Sequence, residues 1–132
     1  MKAILSRKTV APILLIEDEP SVIAFLRAAL ERKGYEVVHA YSGSEGLEQL
    51  SGGTFGGVIS DIRMPGAVNG ADVHAWIQAH RPELRERIIL ISGDTANSET
   101  QALLAQSGTP CIEKPFRVQQ LISIVEKTFG KP

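Results

Sequence analysis

Two stretches of this chain, Ile13-Leu14-Leu15-Ile16 and Ile88-Ile89-Leu90-Ile91, are apolar at every position. A strand with one face in water alternates apolar and polar residues, so a strand that is apolar throughout must be covered on both faces. Helices packed on the two sides of a parallel sheet provide that cover, and parallel strands need helix-length crossovers between them. The rest of the chain should therefore supply helices between strands.

It does so five times. After Ile16, Pro20 suits a first helical turn, Val22, Phe25, Leu26, Ala29 and Leu30 recur at spacings of three and four, and Gly34 ends the run. Residues 35–40, with Tyr35, Val37 and Val38, read as a second strand, followed by a short helix carrying Leu47 and Leu50. Val58 and Ile59 lead a third strand to Asp61, which Pro65-Gly66 turns into a loop. The next helix is expected to place Val73, Trp76, Ile77 and His80 on one face and to close before Pro82.

The second apolar tetrad ends in Ser92-Gly93-Asp94, and a more polar helix with Leu103 and Leu104 follows. A short strand around Cys111 and Ile112 runs into Glu113-Lys114-Pro115, and Val118, Leu121, Ile122, Val125 and Phe129 mark a last amphipathic helix. The fold class is α/β, a single doubly wound (βα)5 domain over residues 12–129, with a lead at 1–11 and a tail at 130–132. Right-handed crossovers favour a flavodoxin-like sheet of order 2-1-3-4-5, which sets the first and third strands side by side.

A chain of 132 residues is of one-domain size. Its net charge of -1 speaks against a direct nucleic-acid footprint. Cys111 stands alone, so no internal disulfide forms, and no Cys or His spacing resembles a zinc site. No apolar run reaches membrane-spanning length, and the lead, with Lys2, Arg7 and Lys8, is too short for a signal-peptide core. The expectation is a cytoplasmic protein without membrane contact. His39, His74 and His80 show no metal spacing and are read as structural or solvated.

Four strand ends are polar: Glu17-Asp18, Asp61, Ser92 and Lys114. In a parallel sheet these ends share one edge, where ligands bind in such folds. Carboxylates gathered there repel one another, and all-oxygen ligands with room for water suit Mg²⁺. A divalent ion, an ammonium and a hydroxyl around one carboxylate are what phosphoryl transfer to that carboxylate needs, with Asp61 as nucleophile.

The pieces Leu15-Ile16-Glu17-Asp18-Glu19, Asp61-Ile62-Arg63-Met64-Pro65, Ile91-Ser92-Gly93 and Glu113-Lys114-Pro115-Phe116, in this order and spacing, resemble the receiver domains of bacterial two-component signalling, the response regulators. The resemblance covers residues 12–129. It implies that Asp61 is the phosphoacceptor for a sensor histidine kinase or phosphotransfer protein. Asp18, Asp61 and the backbone carbonyl of Arg63 would hold Mg²⁺, with Glu17 acting through water. Lys114 would bridge the phosphoryl oxygens, Ser92 would turn its hydroxyl to them, and the Lys114-Pro115 peptide would be cis. Output would pass through the face of the fourth helix, fifth strand and fifth helix to a partner protein or to an output domain outside this chain. The details of Ser92 and Lys114 are most similar to receivers attached to hybrid sensor kinases.

Two departures stand out. Cys111 takes the place of the aromatic residue whose ring usually swings inward on activation, so Ser92 and loop shifts are expected to carry the switch. The spacer Gly66-Ala67-Val68-Asn69 is one residue longer than usual. Two other functions compete. An aspartyl phosphatase would want a second Asp two residues after Asp61, where Arg63 stands, and a substrate cap for which no segment remains. A pseudo-receiver working by contact alone would not require Asp18, Asp61, Ser92 and Lys114 together.

Overall fold

A computed structural model describes residues 11–132, and among these five strands and five helices alternate. Most of the expected lead at 1–11 lies outside the described residues. The strands are β1 (Ile13–Ile16), β2 (Val37–Ala40), β3 (Gly57–Asp61), β4 (Ile88–Ser92) and β5 (Cys111–Glu113). The helices are α1 (Pro20–Arg32), α2 (Gly43–Gly52), α3 (Gly70–His80), α4 (Ser98–Ser107) and α5 (Val118–Phe129). All pairings are parallel and the order is β2-β1-β3-β4-β5, the flavodoxin-like 2-1-3-4-5 arrangement expected from the crossovers.

The alternation of side chains along each buried strand explains the two cores. Ile13, Leu15, Ile59, Ile89 and Ile91 face one way, against Leu26 and Leu30 of α1 and Leu121, Val125 and Phe129 of α5. Leu14, Ile16, Val58, Ile88 and Leu90 face the other way, against Leu50 of α2 and Val73 and Ile77 of α3. Burying both sets is the hydrophobic drive for the fold, at roughly 1.5–3 kcal/mol for each fully buried large side chain. Gly57 is small because Phe129 lies where its Cβ would be.

Two local readings differ from expectation. β2 starts at Val37 rather than Tyr35, because the Tyr35 N–H is taken by the Leu30 carbonyl at the end of α1 at 3.1 Å, while its hydroxyl donates to the Gly130 carbonyl at 2.6 Å. On α3 the buried face is Val73, His74 and Ile77, whereas His80 is exposed and stacks on the half-buried Trp76 ring at 4.7 Å. A short 3-10 turn, Pro82–Leu84, follows α3 and buries Leu84. Helix α4 is the least embedded of the five: Thr100 alone is buried, and Leu103 and Leu104 pack only partly against the core.

Register fixes where the polar strand ends meet. Ile16 pairs with Ser60 and Ala40, Asp61 with Ile91, and Ser92 with Glu113. Glu17, Asp61, Ser92 and Lys114 thus leave the sheet along one edge.

Candidate functional site

Asp61 is the last residue of the central strand β3 and is 5% exposed. Its Oδ2 accepts from the Lys114 ammonium at 2.9 Å and its Oδ1 from the backbone N–H of Arg63 at 3.3 Å. The loop that follows is pinned at its base, where the Gly70 N–H donates to the Ile62 carbonyl at 2.8 Å. A Cβ on Gly70 would overlap the Asp61 carbonyl, so glycine is what lets α3 begin there. Asn69 and Asp72 close a reciprocal capping box at that start, at 2.9 and 3.0 Å.

Glu17 follows β1 and has no exposed surface. One carboxylate oxygen, Oε2, accepts from the Glu19 N–H at 3.1 Å, while Oε1 has no hydrogen-bond partner. Its backbone carbonyl accepts from the Nε2 of His39, 3.0 Å away. Burial, reinforced by the charge of Asp61, pushes the Glu17 carboxyl up to about 7. The Lys114 ammonium lies 3.7 Å from Glu17 Oε1 and 3.0 Å from Glu19 Oε1. Burial by itself pulls this lysine down, yet its hydrogen bonds to Asp61 and Glu19 and the charges of Asp61 and Glu17 together hold it well above the usual lysine range. One cation thus serves three carboxylates.

Oxygens of Glu17, Glu19 and Asp61 lie within 4.8 Å of one another, the only such group of potential metal ligands among the described residues. Asp18, half-buried beside them, is not one of the three, though its charge also raises the Glu17 carboxyl. Arg63 has an exposed side chain and enters the site by its backbone. The donor set suits a hard divalent cation: all-oxygen, more than one negative charge beyond what Lys114 offsets, and a buried oxygen that has a distant ion pair but no hydrogen bond. Such an oxygen is costly unless something binds it.

Ser92 ends β4 and is buried; its Oγ accepts from the Asp94 N–H at 3.0 Å, and its carbonyl accepts from the Lys114 N–H at 2.8 Å. The Lys114-Pro115 peptide is cis. Cys111, half-buried rather than fully so, opens β5, and burial together with Glu113 and Asp61 pushes its thiol up. The sequence reading missed Glu19 as a partner of Lys114. The signal was present in the third acid of the run Glu17-Asp18-Glu19, but spacing alone does not say which of three consecutive acids turns inward.

Residues 13–126 match the response regulator receiver domain family. The chain belongs to that family. As a receiver domain it is 31% identical over 115 residues to the response regulator receiver protein CpdR of Brucella abortus, covering 87% of this chain and 93% of that one. It is 32% identical over 123 residues to the sensor kinase CckA of the same organism, covering 92% of this chain but 13% of the kinase. Among solved structures, the response regulator protein TrrA from Thermotoga maritima, in complex with Mg²⁺-BeF, superposes with a TM-score of 0.77 at 30% identity, over 90% of this chain and 99% of that one. This receiver domain of two-component signalling therefore carries an acidic pocket built by Glu17, Glu19 and Asp61 around Lys114.

Proposed function

We propose that this receiver, over residues 12–129, takes a phosphoryl group onto Asp61 from the phosphohistidine of a sensor kinase or phosphotransfer protein, with Mg²⁺ as cofactor. The observation that carries the reading is the Asp61 carboxylate, buried at a strand end, in contact with the Lys114 ammonium and beside Glu17 Oε1, which has no hydrogen bond. Asp18, Asp61 and the Arg63 carbonyl would hold the metal, with Glu17 assisting through water. When bound, Mg²⁺ supplies neutralisation of the carboxylates and of the incoming phosphoryl oxygens.

The chain's own residues divide the work. An Asp61 carboxylate oxygen attacks phosphorus as the P–N bond to the histidine breaks, and the departing imidazole keeps the electron pair and takes up a proton. Lys114, already at Asp61, donates to a phosphoryl oxygen and offsets its charge. Ser92 now accepts from Asp94 and has its own hydroxyl hydrogen to donate, so a rotation brings it to the phosphoryl group. That rotation and the pull on Lys114 reach the β4–α4 and β5–α5 loops, which lead to the α4-β5-α5 face for a downstream protein or an output domain. With Cys111 at the start of β5, no aromatic ring takes part. The reading makes the chain a signalling module rather than an enzyme with turnover. It also carries a cytoplasmic location, where ATP can charge the phosphoryl donor.

The test is intact mass after incubation with Mg²⁺ and acetyl phosphate, on wild type and Asp61→Asn. A gain of about 80 Da on wild type only, one phosphoryl group, is the expected outcome. No gain on either, with no Mg²⁺ binding, would sink the phosphoacceptor reading and leave a module working by contact alone.

A further inference from the structure

Glu19 has no part in the phosphoacceptor scheme above, yet it takes one of the two hydrogen bonds that the Lys114 ammonium makes. Its Oε1 accepts from the Lys114 Nζ at 3.0 Å, nearly as close as Asp61 at 2.9 Å. Its position sharpens the point. Glu19 is the N-cap of α1, where an acid ordinarily accepts a backbone N–H of the first turn, and it makes no such cap bond. Its carboxylate is turned to the lysine instead, while its own N–H holds Glu17 Oε2 at 3.1 Å. The side chain of Glu19 is 57% exposed, against 6% for Asp61, so this is the contact Lys114 gives up at least cost.

We infer that Glu19 is a positioning residue that competes with an incoming phosphoryl group for the Lys114 ammonium and, by its charge, favours cation loading of the site before phosphoryl loading. The inference rests on the phosphoacceptor reading. Two effects of one carboxylate give it its sign. As a third anion within 4.8 Å of Glu17 and Asp61, Glu19 strengthens the attraction for a divalent cation. As a competitor for Lys114 and a like charge to the phosphoryl oxygens, it weakens the hold on the phosphoryl group. Removing its charge should therefore move the two affinities in opposite directions, which general loosening of the site would not do.

The experiment is calorimetric titration of wild type and Glu19→Gln, first with MgCl₂ alone, then with beryllofluoride at saturating Mg²⁺ as the phosphoryl mimic. The expected result is Mg²⁺ binding about two- to fivefold weaker and beryllofluoride binding about two- to fivefold tighter in the variant, the size of a partly exposed ion pair. If the two affinities move together, or neither moves, the role assigned to Glu19 is wrong. If wild type binds neither Mg²⁺ nor beryllofluoride, the phosphoacceptor reading fails and takes this one with it. Wild type binding both with an unchanged variant overturns the Glu19 role alone.

Discussion

The two ends of the sheet handle charge in opposite ways. At the amino ends of the strands, Arg87 donates through Nε to the Gly56 carbonyl and through Nη2 to the Phe129 carbonyl, both at 2.6 Å, with its guanidinium 5.9 Å from the centre of the Phe129 ring. Arg81 likewise donates to the carbonyls of Leu50 and Gly53 and pairs with Glu83. These cations are met by fixed backbone dipoles that close the α2–β3 loop and the end of α5. At the carboxyl ends, one ammonium faces Glu17, Glu19 and Asp61, and a buried oxygen is left over. Charge that is fully met holds the fold; charge left unmet is free to bind something.

That contrast can be broken from either side. The largest expected effect is at the satisfied end: Arg87→Ala strands two carbonyls and uncovers Phe129, and chemical denaturation should show a loss of about 2–3 kcal/mol. Mg²⁺ affinity of the folded variant should stay at the wild-type value. At the unmet end the sign reverses. Glu17→Gln removes a buried carboxylate that lacks a full set of partners, so the metal-free protein should gain about 1–2 kcal/mol near pH 7.5 while its Mg²⁺ affinity falls. A loss of stability in that variant would mean Glu17 is satisfied after all.

The same carboxyl gives a pH signature. Its folded value of about 7 lies above the ordinary 4.5, so between those limits the folded state binds more protons than the unfolded one, and stability falls as pH rises through that window. In metal-free buffer the decline should be measurable by denaturation at pH 5 and pH 7.5, and Glu17→Gln should flatten it. The smallest effect is ligand stabilisation: Mg²⁺ at ten times its dissociation constant should add about 1.4 kcal/mol to wild type and less to Asp61→Asn, read as a shift in thermal midpoint. Equal shifts in the two proteins would place the bound ion away from Asp61.

The sequence carried the sheet well because two wholly apolar tetrads and Pro-Gly punctuation are local signals with one structural meaning. It also located the edge where Glu17, Asp61, Ser92 and Lys114 emerge, since parallel strands put all their carboxyl ends on one side. What it did not carry depends on contacts between distant residues. The Tyr35 hydroxyl reaches a carbonyl 95 positions away, and His74 rather than His80 turns inward, its Nε2 2.9 Å from the Thr109 hydroxyl. Glu19 belongs to the same class: its partner is decided by where α1 starts and by the reach of a lysine just past the far edge strand.

That edge strand has a mechanical consequence. β5 is three residues long and borders β4 alone, whereas β3, which carries Asp61, is clasped between two neighbours. The group at the centre of the site ends a strand held on both sides, and the ammonium that answers it directly follows a three-residue strand held on one side only. A force between the two is therefore taken up by the rim, and the core keeps its shape while the outer strand and its helices shift.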